Sequence, residues 1–157
     1  MVNQKTFRDI CGSFATGVTV VTGRLDDGSP IGVTVNSFSS VSLDPPLVLF
    51  CLDKKALSFD AFSMVKYFAF NILSEEQKEY SNKFSTQSPN KFEGVDYSES
   101  TNGVPLLKDC LGLVECQMHA VHEGGDHQII VGKVINITAG EAERPLIYYQ
   151  SKYRSLI

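Results

Sequence analysis

Nowhere in its 157 residues does the sequence concentrate positive charge: fourteen Lys plus Arg stand against eighteen Asp plus Glu, a net charge of −4 with pI ≈ 5.3. Phosphate backbones require a basic face, so this balance argues against a nucleic-acid partner. Long apolar runs are also missing. None approaches the roughly 18 to 20 residues that span a bilayer, and the polar start Met1 to Lys5 lacks the apolar centre of a secretion signal. The expected location is the cytoplasm, with no membrane partner. The four cysteines, Cys11, Cys51, Cys110 and Cys116, form no C-x-x-C pair. They read as thiols of a reducing compartment, buried as small hydrophobes. Internal repeats and low-complexity segments are absent too.

Several chemistries lack their signatures. Gly12 to Gly17 has the G-x4-G spacing of a phosphate loop, but Val18 stands where the lysine must be. No G-x-G-x-x-G supports a Rossmann site and no G-x-S-x-G supports a hydrolase elbow. Cys116, His119 and His122 do not form a metal set. On a strand His119 faces away from the other two, which are separated by roughly 20 Å along it. Asn136-Ile137-Thr138 matches a glycosylation acceptor, incidental in a chain without a secretion signal.

What is present is a globular composition, 43% hydrophobic and 20% charged, sized for one domain over residues 1–157. Phe7, Ile10, Cys11 and Phe14 recur at helical spacing and predict a helix over Thr6 to Ser13 lying on a core. Val18 to Thr22 and Ile31 to Val35, separated by Asp26-Asp27-Gly28-Ser29-Pro30, predict a hairpin. Asp44-Pro45-Pro46 leads into a strand over Leu47 to Leu52 expected to be covered on both faces. A short helix over Ala56 to Val65 and a strand over Tyr67 to Leu73 follow. Ser74-Glu75-Glu76-Gln77 has the form of a capping box, and a helix from about Glu75 to Phe84 carries a Glu79–Lys83 pair and a Tyr80–Phe84 stripe. Ser85 to Leu107 is polar and longer than an ordinary connection, an irregular segment or lid. Leu111 to Glu123 and His127 to Ala139 flank the hairpin turn Gly124-Gly125-Asp126, and Leu146 to Gln150 is a last strand. Few helices and many tight turns predict a mainly β fold: an antiparallel barrel, closed or nearly closed, with helices at its mouths.

Local chemistry leaves paired readings. Thr34, Asn36 and Ser37 offer short polar groups to a ligand edge, or are an ordinary polar strand end. Asp53-Lys54-Lys55, followed by Ser58, is the best anion site in the chain, or a solvated turn with a capping serine. His127 at the hairpin exit is a proton carrier or a structural histidine.

Ordered motifs decide more. Phe14 to Thr22, Gly32 to Ser42, Asp44 to Val48, Phe70 to Ser74, Gly125-Asp126-His127 with Gly132-Lys133-Val134, and Pro145-Leu146 to Tyr149 with Lys152-Tyr153 together resemble the short-chain flavin reductase family. Its members are reductase components of two-component flavin-dependent monooxygenases. The likeness spans nearly the whole chain. It implies a split β-barrel homodimer that binds FMN or FAD, reduces it with NADH or NADPH, and supplies reduced flavin to a separate monooxygenase. Implied flavin-binding residues are Val33, Thr34, Val35, Asn36, Ser37, Ser39, Ser40, Asp53, Lys54, Lys55, Ser58, Phe59, Lys83 and Phe84. His127 is implied beside the nicotinamide as the catalytic residue, with Ser151, Lys152 and Tyr153 on the nicotinamide side. Phe84 otherwise reads as the core end of its helix stripe, and Tyr153 as part of a frayed tail. Ser151 and Ser85 depart from the pattern, where glycine and alanine are usual. Two other readings stay open: an FMN-binding electron carrier that does not oxidise NADH, and a non-catalytic oligomeric barrel.

Overall fold

The computed structural model describes residues 1–156. Asn3 opens the first helix, α1 (Gln4–Cys11), by accepting the Thr6 amide on its side-chain oxygen at 3.0 Å. The helix is where the periodicity predicts one, but its apolar stripe does not lie on a core. None of its residues is buried, and Phe7, Ile10 and the neighbouring Phe14 are 59%, 68% and 79% exposed. Strand side chains already fill the interior, so the stripe faces outward from this chain. Cys11 is likewise exposed and Cys51 half-exposed, against the expectation of burial, whereas Cys110 and Cys116 are buried.

β1 (Thr16–Gly17), β2 (Thr19–Arg24) and β3 (Pro30–Val35) follow, then β4 (Ser39–Leu43) and β5 (Pro46–Asp53). Next come α2 (Phe59–Phe62), β6 (Tyr67–Ile72), a 3-10 turn at Glu75–Gln77 and α3 (Lys78–Phe84). The chain ends with β7 (Tyr97–Glu99), β8 (Pro105–Leu107), β9 (Gly112–Gly124), β10 (His127–Ala139), β11 (Ile147–Tyr149) and β12 (Lys152–Arg154). Seven strands form one antiparallel sheet in the order β3-β2-β6-β9-β10-β5-β4. β1, β11 and β12 form a smaller antiparallel sheet, and β7 pairs with β8.

The large sheet curls without a backbone ladder joining its two edges, which makes it a split barrel rather than a closed one. A single side chain spans part of the seam. β4 ends its pairing with β5 at Ser39 and Leu49, so the Cys51 backbone on β5 needs another partner. Ser37, in the link from β3 to β4, supplies it: its hydroxyl accepts from the Cys51 amide at 2.9 Å and donates to the Cys51 carbonyl at 3.1 Å. Inside, Phe50 packs against Phe62, Phe68 and Phe70 at ring separations of 5.9, 5.7 and 5.5 Å, with Val21, Leu52 and Ile130 around them.

Other expectations need correction. β5 buries Val48, Phe50 and Leu52, while Leu47, Leu49 and Cys51 on the opposite face are only half-covered. The helix expected over Ala56 to Val65 is a single turn, because Ser63 Oγ turns back to the Asp60 carbonyl at 2.6 Å instead of letting the helix run on. Lys83 donates to the Glu93 carbonyl rather than pairing with Glu79. The capping box holds, with the Gln77 side-chain oxygen accepting the Ser74 amide at 3.0 Å. Ser85 to Leu107 is not wholly irregular, since it contains the β7–β8 hairpin. Buried Asn71 fixes that hairpin: its amide donates to Val20 O at 2.9 Å and to Thr22 Oγ1 at 3.0 Å, and its oxygen accepts Leu107 N at 2.8 Å. Among the described residues no helix is long and apolar enough to cross a membrane.

Candidate functional site

Strand register assembles the site. β10 pairs with β5 so that His127 stands opposite Asp53 and Ile129 opposite Cys51. Because Ser37 is bonded to Cys51, the Asn36-Ser37 link, the end of β5 and the start of β10 meet at one end of the barrel. Asn36, Ser39 and Ser40 are exposed there. Val33 and Val35 point their side chains into the core, leaving only their backbone for a ligand. Ser37 is half-buried, its hydroxyl held by Cys51, so its second acceptor position and its backbone are what it can offer.

The turn after β5 is rigid. Lys54 N donates to Asp126 O at 3.0 Å, Lys55 N to Asp53 Oδ1 at 2.8 Å, and Leu57 N to the Gln87 side chain at 3.1 Å. Ser58 sits at its far end, 8% exposed, and its hydroxyl has no hydrogen-bond partner. Such an orphaned buried hydroxyl is costly unless something outside the chain satisfies it. Lys54 and Lys55 precede Ser58 on the same turn. Phe59 follows, packed against the phenylalanine core. With α2 only one turn long, the helix dipole contributes little here.

Carboxylates surround the turn. Glu123 Oε2 accepts from Lys54 Nζ at 2.5 Å, and this bond holds the Glu123 carboxyl below its ordinary range, helped by Gln128. Asp126 Oδ1 lies 2.7 Å from His127 Nδ1, and that contact likewise depresses the Asp126 pKa. The His127 ring is anchored on one nitrogen with 40% of its side chain exposed, which leaves the other free to face a ligand.

A second set of bonds ties the C-terminal sheet to β3. Thr34 Oγ1 donates to the Ser81 carbonyl at 2.6 Å, Ser81 Oγ lies 2.7 Å from the Tyr153 hydroxyl, and that hydroxyl donates to Asn82 Oδ1 at 3.0 Å. Tyr153 is therefore no frayed tail. Ser151 and Gln150 form the β11–β12 turn with φ of 60° and 48°, and Lys152 follows on the exposed strand β12. Left-handed backbone at both central turn positions explains why a glycine suits position 151. Phe84 takes the core reading: it is fully buried, 4.9 Å from the Phe92 ring, and a Cβ added at Gly32 would come within 2.6 Å of it. Lys83 stays at the surface, on the Glu93 carbonyl.

Three residues here escaped the sequence reading. Ser81 joins Thr34 to Tyr153, but a serine within a helix gives no signal of that. Lys91 is 8% exposed and donates to Gly32 O at 3.1 Å and Phe84 O at 3.0 Å, with burial pushing its pKa down. Glu123 was visible only as the last residue of a strand, and its reach to Lys54 depends on the register.

Comparison with known proteins identifies the family. Residues 11–156 match the flavin reductase like domain. The chain is 39% identical over 155 residues to the reductase subunit HsaB of a flavin-dependent monooxygenase from Rhodococcus jostii, covering 99% of this chain and 79% of the relative. It is 46% identical over 133 residues to the FMN reductase (NADH) SmoA of Agrobacterium fabrum, covering 85% and 75%. Among solved structures, the Streptomyces globisporus NADH:FAD oxidoreductase SgcE6, in complex with NAD and FAD fragments, superposes with a TM-score of 0.92 at 35% identity, covering all of this chain and 96% of the other. The split barrel, the motifs along it and these likenesses agree: the chain belongs to the flavin reductase like family.

Proposed function

We propose that this chain is an NAD(P)H:flavin oxidoreductase that reduces diffusible FMN or FAD and delivers the reduced flavin to a separate monooxygenase. The observation that carries the site is the meeting of His127 with the turn Asp53 to Ser58, which carries Lys54 and Lys55 and ends at a buried Ser58 hydroxyl without a partner. These groups fit a flavin phosphate. Ser58 would donate to a phosphate oxygen, and Lys54 and Lys55 would balance its charge. The backbone of residues 33–40, with Asn36, Ser39 and Ser40, would serve the polar edge of the ring.

Flavin, when bound, supplies a hydride-accepting ring nitrogen to a stacked dihydronicotinamide. The remaining work of the chain is positioning. Asp126 orients the His127 ring through Nδ1, so that Nε2 can bond the nicotinamide side or relay a proton. Tyr153, held by Ser81 and Asn82, fixes the tail hairpin carrying Ser151 and Lys152 against α3. Lys83 and the backbone beside Phe84 would flank the flavin.

Residues 1–157 act as one domain. The exposed stripe of Phe7, Ile10 and Phe14 supports a homodimer, since an apolar face of this kind is a normal contact between protomers. Four free thiols suit a cytoplasmic protein. The test is NADH and NADPH consumption by the purified protein with and without added FMN or FAD, alongside its visible spectrum. Turnover that depends on added flavin is expected. A yellow protein that ignores both pyridine nucleotides would instead make it an electron carrier.

A further inference from the structure

The phosphate-binding turn of the proposed site already holds an anion of its own. Lys54 Nζ is paired with Glu123 Oε2 at 2.5 Å, across from the β5 end to the β9 end, while Lys54 N is fastened to Asp126 O. Among the described residues the Glu123 carboxylate is bonded by Lys54 and, at 3.5 Å, by Gln128 Nε2, and 72% of its side chain is in solvent. It can therefore swing off Lys54 at little steric cost. Asp126, occupied by His127, and Asp53, which accepts the Lys55 amide, complete the acidic surroundings.

From this geometry we infer that Glu123 is an affinity-setting residue, an internal competitor that occupies Lys54 in the flavin-free protein and must yield it to the flavin phosphate. The inference rests on the phosphate reading of the Asp53–Ser58 turn. Its physical logic is exchange. An incoming phosphate gains Lys54 only by releasing a carboxylate that is already neutralising it, and the displaced carboxylate then repels the bound dianion. On departure the carboxylate recaptures the ammonium group, so the free state is stabilised and binding is weakened. A reductase that passes flavin to another protein needs such reversible binding.

The experiment is a fluorescence titration of FMN and of riboflavin, which has the ring but no phosphate, with the full-length native protein, Glu123→Gln, Lys54→Met and the double variant. Glutamine keeps the shape of the side chain and can still bond Lys54 or Gln128. Glu123→Gln is expected to bind FMN about three- to fivefold more tightly, with riboflavin affinity unchanged and no gain when Lys54 is already methionine. The FMN gain should shrink at high salt. Unchanged or weakened FMN binding in a folded Glu123→Gln variant would overturn the inference, as would equal tightening for riboflavin. If Lys54→Met alone leaves FMN affinity intact, the phosphate reading of the turn fails, and the inference with it.

Discussion

Ser81 Oγ and the Tyr153 hydroxyl lie 2.7 Å apart, joining the helix behind β3 to the last strand of the chain. Ser81 also accepts Thr34 Oγ1 on its carbonyl, so one helical residue links the proposed flavin edge to the proposed nicotinamide side. Tyr153→Phe removes the contacts to Ser81 and Asn82 but keeps the ring packed at 5.6 Å on Tyr148. The KM for NADH should rise about fivefold, the equivalent of one hydrogen bond, with flavin affinity altered less than twofold. Steady-state kinetics and flavin titration check this. Equal losses in both would mean that Tyr153 acts on the whole fold rather than on the nicotinamide side.

His127→Ala tests the proton-carrying or orienting role. NADH oxidation should slow by about a hundredfold if the ring is a general acid and by less if it only orients the nicotinamide. Flavin binding should change little, because the proposed flavin groups lie on β3, the β3–β4 link, β4, the turn after β5 and the end of α3, not on His127. An unchanged rate removes His127 from the mechanism.

Much of this arrangement was legible in the chain, and the illegible parts share a cause. Strands such as Thr19–Arg24 and His127–Ala139 announce themselves through β-branched residues and turn glycines, which are local signals. β4 (Ser39–Leu43) carries Ser39, Ser40 and Ser42 and has no such signal; its pairing with β5 makes it a strand. The outward face of α1 was misread because a 3.6-residue period marks an apolar face without saying what covers it. In the site, Lys54, Lys55, Ser58 and His127 were readable as residue types in motifs. Lys91, Ser81 and Glu123 matter through contacts 59 to 72 positions away in the chain, which no local window contains.

Asn71 is fully buried and makes three hydrogen bonds, two to β2 and one to the Leu107 amide, so it links the β7–β8 hairpin to the barrel. Asn71→Leu matches its size but strands the Leu107 amide and takes a donor from the Val20 carbonyl, while the Thr22 hydroxyl keeps its own bond to the Pro105 carbonyl at 2.5 Å. A loss of about 3 kcal/mol is expected, lowering Tm by roughly 6 to 12 °C. Calorimetry measures it, and a shift below about 2 °C would show that water replaces the lost partner.

Ser151 should gain from becoming what the turn geometry favours. Its φ of 60°, next to Gln150 at 48°, holds an L-residue in the left-handed region. Ser151→Gly should raise stability by about 0.5 to 1 kcal/mol and Tm by roughly 1 to 4 °C. The sign of the Tm shift decides whether this turn carries backbone strain.

Lys91 gives the pH prediction. Its ammonium group is buried against two neutral carbonyls and pairs with no carboxylate among the described residues, and desolvation lowers its pKa from 10.5. Between the lowered folded value and 10.5, the unfolded chain binds more protons than the folded one, so stability rises with pH in that alkaline window. Below the folded value the burial penalty is present in full; above 10.5 it is gone. Lys91→Met has no proton to lose and should not show the rise. Urea midpoints for both proteins from neutral pH to about pH 10.5 should therefore move apart in favour of the native chain as pH increases. Parallel curves would mean that the Lys91 ammonium group is as well solvated in the fold as outside it, and that its two carbonyl bonds are made to a group water still reaches.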